Sequence, residues 1–356
     1  MINKIAWANF DMKFSQYPNI AVIGVEHRHI YGMLEGMIAA GCKVSGWWTE
    51  SSNVVTEGFV KRFPTLKRFN TKQELLDNQD IQVVLIADIP SRRAGLAIEA
   101  MNHGKDVMTD KPGCISEEEL IALKKTVFET KKFWSIDFSE RFEVPAVSYA
   151  GELIKAGEIG TVIQTIGLGP HRLNLATRPN WFFDPKSYGG ILCDIASHQI
   201  DQFLYFTNSI SAEIVTSSVA NYANPSHVGL EDFGEVVLQS NGSHGYIRVD
   251  WYTADALPTW GDGRLFILGT RGTIEIRKYI DIAGRTGTDH VLMVNNERVS
   301  YFDASKTKLN YFFNFSNDVM NRTETSCSQA HTFLVTELAL KSQKMASRLG
   351  FLSPKN

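Results

Sequence analysis

Two titratable side chains stand four positions apart in an otherwise apolar stretch of this sequence. Asp194 and His198 lie within residues 189–201, which begin with the glycine pair Gly189 and Gly190. A spacing of four places two side chains on one face of a helix, and the apolar neighbours would bury the rest of it. The glycines let a neighbouring backbone approach closely. The pattern predicts an acid-base pair on an anchored helix.

An ammonium group follows a short apolar run upstream. Residues 106–109 have the pattern of a strand, and Asp110, Lys111 and Pro112 come directly after it, before a helical pattern that begins near Ser116. Catalytic groups favour the carboxyl ends of strands in α/β sheets. The sequence therefore predicts that Lys111 stands at a strand end where chemistry can occur.

The length and composition of the chain limit the classes of function that it can have. The chain has 356 residues, 44% of them apolar, and a formal charge of -3. That length predicts two domains, and the charge offers no basis for binding nucleic acid or an anionic membrane. The four cysteines show no metal-ligand or redox spacing, and no segment is uncharged over the length of a bilayer. We expect a cytoplasmic protein with a small or neutral partner.

The first part of the chain alternates between short apolar runs and helix-length segments. The predicted strands are 19–24, 43–48, 82–87, 106–109 and 133–137, and the predicted helices are 30–40, 54–63, 91–104 and 116–130. Alternation of this kind indicates a parallel sheet with helices on both faces. Residues 19–137 are therefore predicted to form a doubly wound domain.

After residue 137 the pattern changes. A helix is predicted over 147–156, then the helix of Asp194 and His198, then strand-like segments from 214 to 276 and a closing helix over 329–345. Residues 138–356 are predicted to form a second domain, a helix-bearing antiparallel sheet. Residues 1–18 stand apart as an amino-terminal extension, either an added strand or a disordered tail.

Taken together, these features resemble the Gfo/Idh/MocA family of sugar and polyol oxidoreductases over nearly everything after residue 18. The resemblance rests on residues 110–112, similar to the family's Glu-Lys-Pro, on 151–160, on the glycine pair with Asp194, His198 and Asp201, and on 268–273. It implies a Rossmann domain and a second α/β domain with a large open, mainly antiparallel sheet that often serves oligomerisation. It also implies hydride transfer between a nicotinamide and a carbinol carbon, so we expect NAD, or NADP, and a homodimer or homotetramer.

Oxidation of a secondary alcohol requires a base for the hydroxyl proton while hydride leaves the carbon. His198 is the natural base, because an imidazole titrates near neutral pH. Asp194 could orient His198 or hold a neighbouring hydroxyl, and Lys111 could stabilise the developing alkoxide and position the nicotinamide. The resemblance makes these three the catalytic residues. Without it, a structural Asp-His pair and a surface lysine would explain the same pattern.

The phosphate-binding loop departs from the family pattern. Where G-x-G-x-x-G is expected, residues 24–29 retain only Gly24. A carboxylate at Glu26 would repel phosphates unless it turned away. His27 and Arg28 could supply replacement phosphate contacts, or they could be loop residues without a role.

Other cofactor contacts are predicted at neighbouring strand ends. Glu50 stands where a ribose-binding acid would be, which favours NAD, although Ser51 and Ser52 leave NADP open. Residues 88–93 correspond to the family's nicotinamide-side loop, in which Arg92 or Arg93 is a phosphate or substrate contact or a solvated helix start. The expected cofactor-binding residues are Gly24, Glu26, His27, Arg28, Glu50, Asp88, Pro90, Arg93, Asp110 and Lys111.

Substrate contacts are predicted in segments 170–174 and 178–184, which combine hydrogen-bonding groups with aromatic faces that suit a sugar. Tyr279, Asp281 and His290 could line the same cleft. For any one of these residues a structural role is equally compatible with the sequence. The expected substrate-binding residues are His171, Arg172, Asn174, Trp181, Lys186, Tyr188, Asp194 and His198.

A metal site is an alternative reading of the histidines. The ligands would be His27 and His29, or Asp194 and His198 joined by His171 and His290. No third ligand has a diagnostic spacing, so no metal ligand is predicted.

Three functions remain open from the sequence. The leading one is an NAD(P)-dependent dehydrogenase or reductase of a sugar, glycoside or cyclic polyol. The second is a glycosidase that oxidises its substrate transiently with bound NAD and then eliminates the aglycone. The third is a sugar- or nucleotide-sensing regulator without catalysis, which the altered glycine motif allows. Net NADH release separates the first from the second, and the sequence leaves the substrate and the oxidised carbon open.

Overall fold

A computed structural model describes residues 17–350. The strand or tail predicted for the amino-terminal extension therefore lies outside the described residues, apart from Tyr17 and Pro18. Among the described residues, no helix is long and apolar enough to cross a membrane. The chain forms two compact units, one of residues up to Asp137 with Leu309–Phe333 and one of Phe138–Lys308 with the residues from Leu334 onward. The sequence predicts one continuous domain over 138–356, whereas in the structure 309–333 belong to the first unit.

The first unit is built on parallel strands separated by helices. In chain order its elements before residue 138 are β1 Asn19–Val25, α1 His29–Ala39, β2 Lys43–Trp48, α2 Val54–Arg62, α3 Lys72–Asp77, β3 Val83–Ala87, α4 Pro90–Asn102, β4 Asp106–Asp110, α5 Glu117–Thr130 and β5 Trp134–Asp137. The strand order is β2-β1-β3-β4-β5, and every neighbouring pair is parallel. The predicted doubly wound sheet is confirmed.

The sheet of the first unit is covered on both faces. All residues of β3 and β4 are buried, as expected when helices pack on both sides of a parallel sheet. Side chains set where the helices begin, because Asn53, Thr71 and Ser116 accept hydrogen bonds from the first free amides of α2, α3 and α5. The chain leaves β1 toward β2 and returns to β3, so the direction of winding reverses between β1 and β3. Ligands of such sheets bind at this switch point, at the carboxyl ends of the strands.

The second unit is a helix-covered sheet. After residue 137 the chain forms α6 Ser139–Phe142, α7 Pro145–Lys155, β6 Val162–Pro170, α8 Pro185–Tyr188, α9 Ser197–Thr207, β7 Glu213–Ala220, β8 Phe233–Ser240, β9 Ser243–Asp250, β10 Arg264–Gly269, β11 Gly272–Arg277, β12 His290–Asn295, β13 Val299–Asp303, α10 Tyr311–Asn321 in the first unit, α11 Gln329–Met345 and β14 Ser347–Leu349. The nine strands run in the order β13-β12-β11-β10-β6-β9-β8-β7-β14. Only β6 with β9 and β7 with β14 are parallel among these neighbouring pairs. The mainly antiparallel sheet is confirmed.

Four strands of this sheet lie outside the range predicted from sequence. The sequence predicts strands over 214–276, but β6 precedes that range and β12, β13 and β14 follow it. β6 contains Gly167 and Gly169 and ends in Pro170, residues that weaken a strand pattern. Its glycines have a packing role, because a Cβ on either would lie within 3 Å of the Gln199 side chain of α9.

The helix of Asp194 and His198 is not a regular α-helix throughout. Leu192–Ala196 form a π-helical turn, and α9 begins only at Ser197. In a π-turn the amide of residue i+5 bonds the carbonyl of residue i. The α-helical spacing from which the sequence places Asp194 and His198 on one face therefore does not apply within this turn. Such turns occur often at functional sites.

The packing of α10 on α1 gives the first prediction. A Cβ built on Gly36 of α1 would lie 2.2 Å from the Phe312 ring of α10, which is 1% exposed. We expect Gly36→Ala to lower the free energy of unfolding by about 1–3 kcal/mol, because a buried ring must move. The matched control is Gly95→Ala in α4, where nothing lies within 4 Å of the new Cβ and helix propensity should add up to about 1 kcal/mol. Urea unfolding measures both, and equal stabilities would contradict this packing.

Candidate active site

The loop after β1 is fastened to the loop after β3. Gly24 has a φ of +78°, and a Cβ there would lie 2.5 Å from Cβ of Asp88, so only glycine fits. The amides of Glu26 and His27 both donate to the carbonyl of Ala87, at 2.9 and 3.1 Å. These contacts join the two loops that flank the switch point of the sheet. The two amides serve the protein backbone here, so phosphate contacts at this loop fall to other groups.

Glu26 is turned toward the loop after β2. Its carboxylate accepts hydrogen bonds from the hydroxyl of Ser51 and from Nδ2 of Asn53, the latter at 2.7 Å. Burial raises the pKa of Glu26, against the lowering effect of the Ser51 hydrogen bond. The sequence made dinucleotide binding at this loop conditional on Glu26 turning away from the phosphates, and these contacts fit that condition.

An exposed ion pair stands at the end of β2. Glu50 Oε2 accepts from Nη1 of Arg92 at 2.8 Å, and Arg92 Nη1 lies 3.9 Å from Oδ1 of Asp88. Burial raises the pKa of Asp88. A cavity of about 730 Å³ lies beside these residues and has Trp48 in its lining. No arginine lies immediately after β2 in the sequence, yet the fold brings Arg92 from α4 to this position. A carboxylate that could accept ribose hydroxyls and a cation that could meet a phosphate therefore lie side by side.

Arg93 holds the strand ends together. Its side chain is 1% exposed and donates to the carbonyls of Asp88, Lys111 and Pro112 and to the carboxylate of Asp110. The sequence predicts a cofactor contact at Arg93, but the structure gives its donors to the protein itself. Arg92, its exposed neighbour, is the arginine that can reach a ligand. Lys111, fixed through its own carbonyl by Arg93, is buried.

Two histidines share the buried carboxylate of Asp110. Nδ1 of His27 lies 2.8 Å from Oδ2, and Nδ1 of His29 lies 2.8 Å from Oδ1. The two rings contact each other edge to face at 4.4 Å. Burial alone would raise the pKa of Asp110, but Arg93, His29 and His27 hold it well below its usual range. Burial lowers the pKa of His27 to about 4 despite the neighbouring Asp110 charge, so His27 is neutral at pH 7.

His27, His29 and Asp110 are also the residues that could hold a metal ion. Their possible ligand atoms lie within 4.8 Å of one another. Within residues 17–350, no other group of three or more His, Cys, Asp or Glu side chains meets this distance. Asp110 already bonds the guanidinium of Arg93 at 2.8 Å, and that positive charge opposes a cation beside it. The hydrogen bonds of His29 and Arg93 to Asp110, with the close contact of His27, therefore account for the arrangement. His290, from the other proposed ligand set, uses Nδ1 with Tyr301 and Nε2 with the carbonyl of Gly287.

Two further predicted cofactor residues lie at helix starts. Arg28 is exposed at the position before α1 and makes no side-chain cap. Pro90 is the buried first residue of α4, a position that suits proline because no amide is needed there. Arg28 is thus accessible to a ligand, whereas Pro90 shapes the loop after β3.

In the second unit, residues 191–207 form the helical segment that carries Asp194 and His198, here called the motif helix, and distant residues cap its start. The amide of Ile191 donates to Glu231 at 2.9 Å, and the amide of Leu192 donates to Gln343 of α11 at 3.0 Å. Gln343 in turn donates to Glu231. Gly190 has a φ of +90°, and a Cβ there would overlap the Gln343 side chain. The sequence predicts that a backbone approaches the glycine pair, whereas in the structure the side chain of Gln343 lies against Gly190.

Three charged residues that sequence analysis missed, Glu140, Arg141 and Lys278, lie beside the segment after the π-turn. His198 is 1% exposed. The carboxylate of Asp201 accepts two hydrogen bonds from Arg141, at 2.6 and 2.7 Å, and Glu140 accepts from Gln199 at 2.9 Å and from Lys278 at 2.5 Å. The available signal was the charged pair 140–141 between Phe138 and Phe142, directly after β5.

The aromatic part of the predicted substrate region is brought together. His171 packs on Trp260 at 4.5 Å and on Trp251 at 5.4 Å, and Tyr279 packs on Trp260 at 4.5 Å. Nε1 of Trp181 is buried and has no hydrogen-bond partner within the described part of the chain. The region therefore combines flat apolar faces with a donor that a ligand oxygen could satisfy.

The other predicted substrate residues have different surroundings. Arg172 donates to the carbonyls of Ala254 and Leu257 and so fastens a loop. Tyr188 is 2% exposed and bonds residues 229 and 231, so the structure gives it a supporting position instead of the predicted place in the cleft. Asn174 and Lys186 are exposed.

Both units match models of a known protein family. Residues 19–138 match the family model described as the oxidoreductase family with an NAD-binding Rossmann fold, and residues 147–275 match the GFO/IDH/MocA C-terminal domain. The chain belongs to the GFO/IDH/MocA family. The resemblance inferred from the sequence is confirmed, and the first matched region corresponds to the five-stranded parallel sheet.

A crystal structure of a protein from Erwinia carotovora atroseptica, described as an oxidoreductase, is 42% identical, covers 93% of this chain and 99% of its own, and superposes with a TM-score of 0.91. Levoglucosan dehydrogenase of Pseudarthrobacter phenanthrenivorans is 30% identical over 54% of this chain and 50% of its own length. The scyllo-inositol 2-dehydrogenase (NAD(+)) of Bacillus subtilis is 30% identical over 57% of both. The chain thus spans about half the length of these two curated relatives.

The lowered pKa of His27 gives a prediction for stability. Between its unfolded value near 6.5 and its folded value of about 4, the unfolded chain binds more protons at His27, so the free energy of unfolding falls as the pH falls through this range. We expect His27→Gln to reduce that slope. Denaturant unfolding from pH 7 to pH 4.5 measures it, with His244→Gln as the control because His244 is exposed. A His27→Gln slope equal to the wild-type slope would refute this account.

Proposed function

We propose that this protein is an NAD(P)-dependent dehydrogenase or reductase that transfers hydride between a nicotinamide and a CH-OH carbon of a sugar, glycoside or cyclic polyol. The observation that carries the proposal is the match of the family's NAD-binding model to residues 19–138. The parallel sheet of the first unit lies within this region and has its switch point between β1 and β3.

The first unit fits a dinucleotide. Gly24 allows close approach of the loop after β1, and the Glu26 carboxylate is bonded to Ser51 and Asn53 instead of projecting toward phosphates. Glu50 is 67% exposed at the end of β2, where it can accept ribose hydroxyls. Arg92 beside it, with Arg28 on the neighbouring loop, can meet phosphate charge. We therefore assign NAD as the cofactor and keep NADP as an alternative.

The catalytic roles follow from the chemistry of the side chains. The bound nicotinamide supplies the hydride acceptor. His198 takes the hydroxyl proton, Asp194 orients His198 or holds an adjacent hydroxyl, and Lys111 stabilises the alkoxide that forms as the proton leaves. Joint action of Lys111 with the other two stays a prediction from the sequence.

The second unit supports a polyhydroxylated substrate. Aromatic faces such as Trp260 and Tyr279 pack on the apolar C-H faces of sugar rings, and His171 and Trp181 offer polar atoms for hydroxyls. Relatives named levoglucosan dehydrogenase and scyllo-inositol 2-dehydrogenase act on molecules of this kind.

We also propose a homodimer or homotetramer, assembled through the open face of the nine-stranded sheet. Leu268, Val294 and Tyr301, on β10, β12 and β13, are each about 40–50% exposed, and exposed apolar patches often mark interfaces. Scattered cysteines and an apolar-rich, weakly charged composition are consistent with the predicted cytoplasmic location.

Nucleotide binding tests the proposal first. We expect calorimetric titration to show saturable binding of NAD and NADH, and weaker binding of NADP and NADPH, because Glu50 accepts ribose hydroxyls and repels a 2'-phosphate. A denatured extract should be checked for cofactor that purified with the protein. Absence of both binding and retained nucleotide would overturn the dehydrogenase and favour a regulator.

Once the nucleotide is identified, a panel of sugars and polyols that includes levoglucosan and scyllo-inositol is tested for oxidation. The absorbance of the reduced nicotinamide measures the activity. Aglycone release from glycosides without net NADH would instead indicate the glycosidase.

Lys111→Ala provides a sharper test of mechanism. We expect turnover to fall on the order of 10³-fold, because the developing alkoxide loses its positive partner, while the circular dichroism spectrum and melting temperature stay close to the wild type. Lys125→Ala is the control, since Lys125 is 71% exposed on α5 of the same unit. A Lys111→Ala enzyme as active as the control would remove Lys111 from the mechanism.

A further inference from the structure

A buried ion pair lies beside the segment that carries the predicted base. Nζ of Lys278, directly after β11, donates to Oε2 of Glu140 at 2.5 Å, and the side chains are 1% and 4% exposed. Glu140 belongs to α6, a short helix that follows β5. Neither residue belongs to the catalytic set derived above. A buried pair of this kind contributes little net stability, so its position calls for another explanation.

Glu140 is bonded to α9 next to His198. The same Oε2 accepts from Nε2 of Gln199 at 2.9 Å, and Gln199 is the residue after His198. Gln199 is itself held by β6, because Gly167 and Gly169 leave room for its side chain. Two groups thus donate to the Glu140 carboxylate: Gln199 links it to α9, and Lys278 supplies the opposite charge.

The charges around Glu140 show which groups it acts on. Burial would raise the pKa of Glu140, but the charges of Lys278, His198 and His171 lower it to about 2. Glu140 is therefore ionised at neutral pH. Since electrostatic interaction is reciprocal, the carboxylate that gains from a positive charge on His198 also favours that charge.

We propose that Glu140 is a positioning residue that favours the protonated form of His198, and that Lys278 keeps the Glu140 carboxylate ionised and limits its effect. Besides Lys278, the groups that interact with Glu140 are His171, on the loop after β6, Tyr279, next to Lys278, and His198 itself. A base that takes a hydroxyl proton becomes positively charged, and a fixed carboxylate nearby stabilises that product. The catalytic meaning rests on the proposed function, but the electrostatic effect on His198 does not.

Histidine NMR tests the effect without substrate or cofactor. The ring signals of labelled protein are followed from pH 5 to pH 9, and the His198 signal is identified by its loss in His198→Gln. In Glu140→Gln, where the amide oxygen can still accept from Gln199, we expect the His198 pKa to fall by about 1 unit. The double variant Glu140→Gln/Lys278→Met carries neither charge, and we expect a smaller fall in the same direction. Glu152→Gln on α7 is the control, because it removes one exposed carboxylate of the same unit and should leave the His198 pKa unchanged.

The double variant decides the result if the single variant does not fold, because it leaves no unpaired buried charge. A His198 pKa in the double variant equal to the wild-type value overturns the proposal. A purely structural pair would lower the melting temperature without moving this pKa. If the nucleotide titrations fail while the His198 pKa moves, the proposed function is lost and the electrostatic link stands. If activity is found, the acidic limb of the kcat/KM profile should shift to lower pH in the same variants.

Discussion

The first unit depends on neutralising one buried carboxylate. Asp110 is fully buried at the end of β4, and an isolated charge there would be strongly destabilising. Arg93 meets it from α4, and His27 and His29 meet it from the loop that follows β1. The same arginine binds the carbonyls of Asp88 and Lys111. One buried charge therefore aligns three strand ends and fixes the backbone of the predicted catalytic lysine.

This arrangement also explains how the loop after β1 departs from a glycine-rich sequence without losing its form. Only Gly24 must adopt a left-handed conformation next to Asp88. The positions usually taken by small residues carry Glu26 and His29 here, and each is held by hydrogen bonds to a neighbouring strand end. Side-chain contacts thus replace the backbone freedom that glycines would provide.

The second unit follows the same physical rule at a different place. Glu231 and Gln343 cap the start of the motif helix, Arg141 pairs with Asp201, and Lys278 pairs with Glu140. Each pair satisfies a buried polar group that otherwise carries a large desolvation penalty. Together they hold the π-turn and α9, so the predicted base does not depend on a flexible loop for its position.

The sequence by itself determined the class of each sheet and the identity of the predicted catalytic residues. Short apolar runs indicate burial directly, because a strand covered on both faces is mostly apolar, and motifs such as residues 110–112 are local in the chain. Only the tertiary structure decided which charges meet. Arg92 reaches Glu50 from 42 positions away and Lys278 reaches Glu140 from 138 positions away, and no periodicity encodes such pairs. The strand β6 and the place of α10 in the first unit likewise depend on Gln199 and Phe312 filling space beside glycines, which is a property of packing between distant segments.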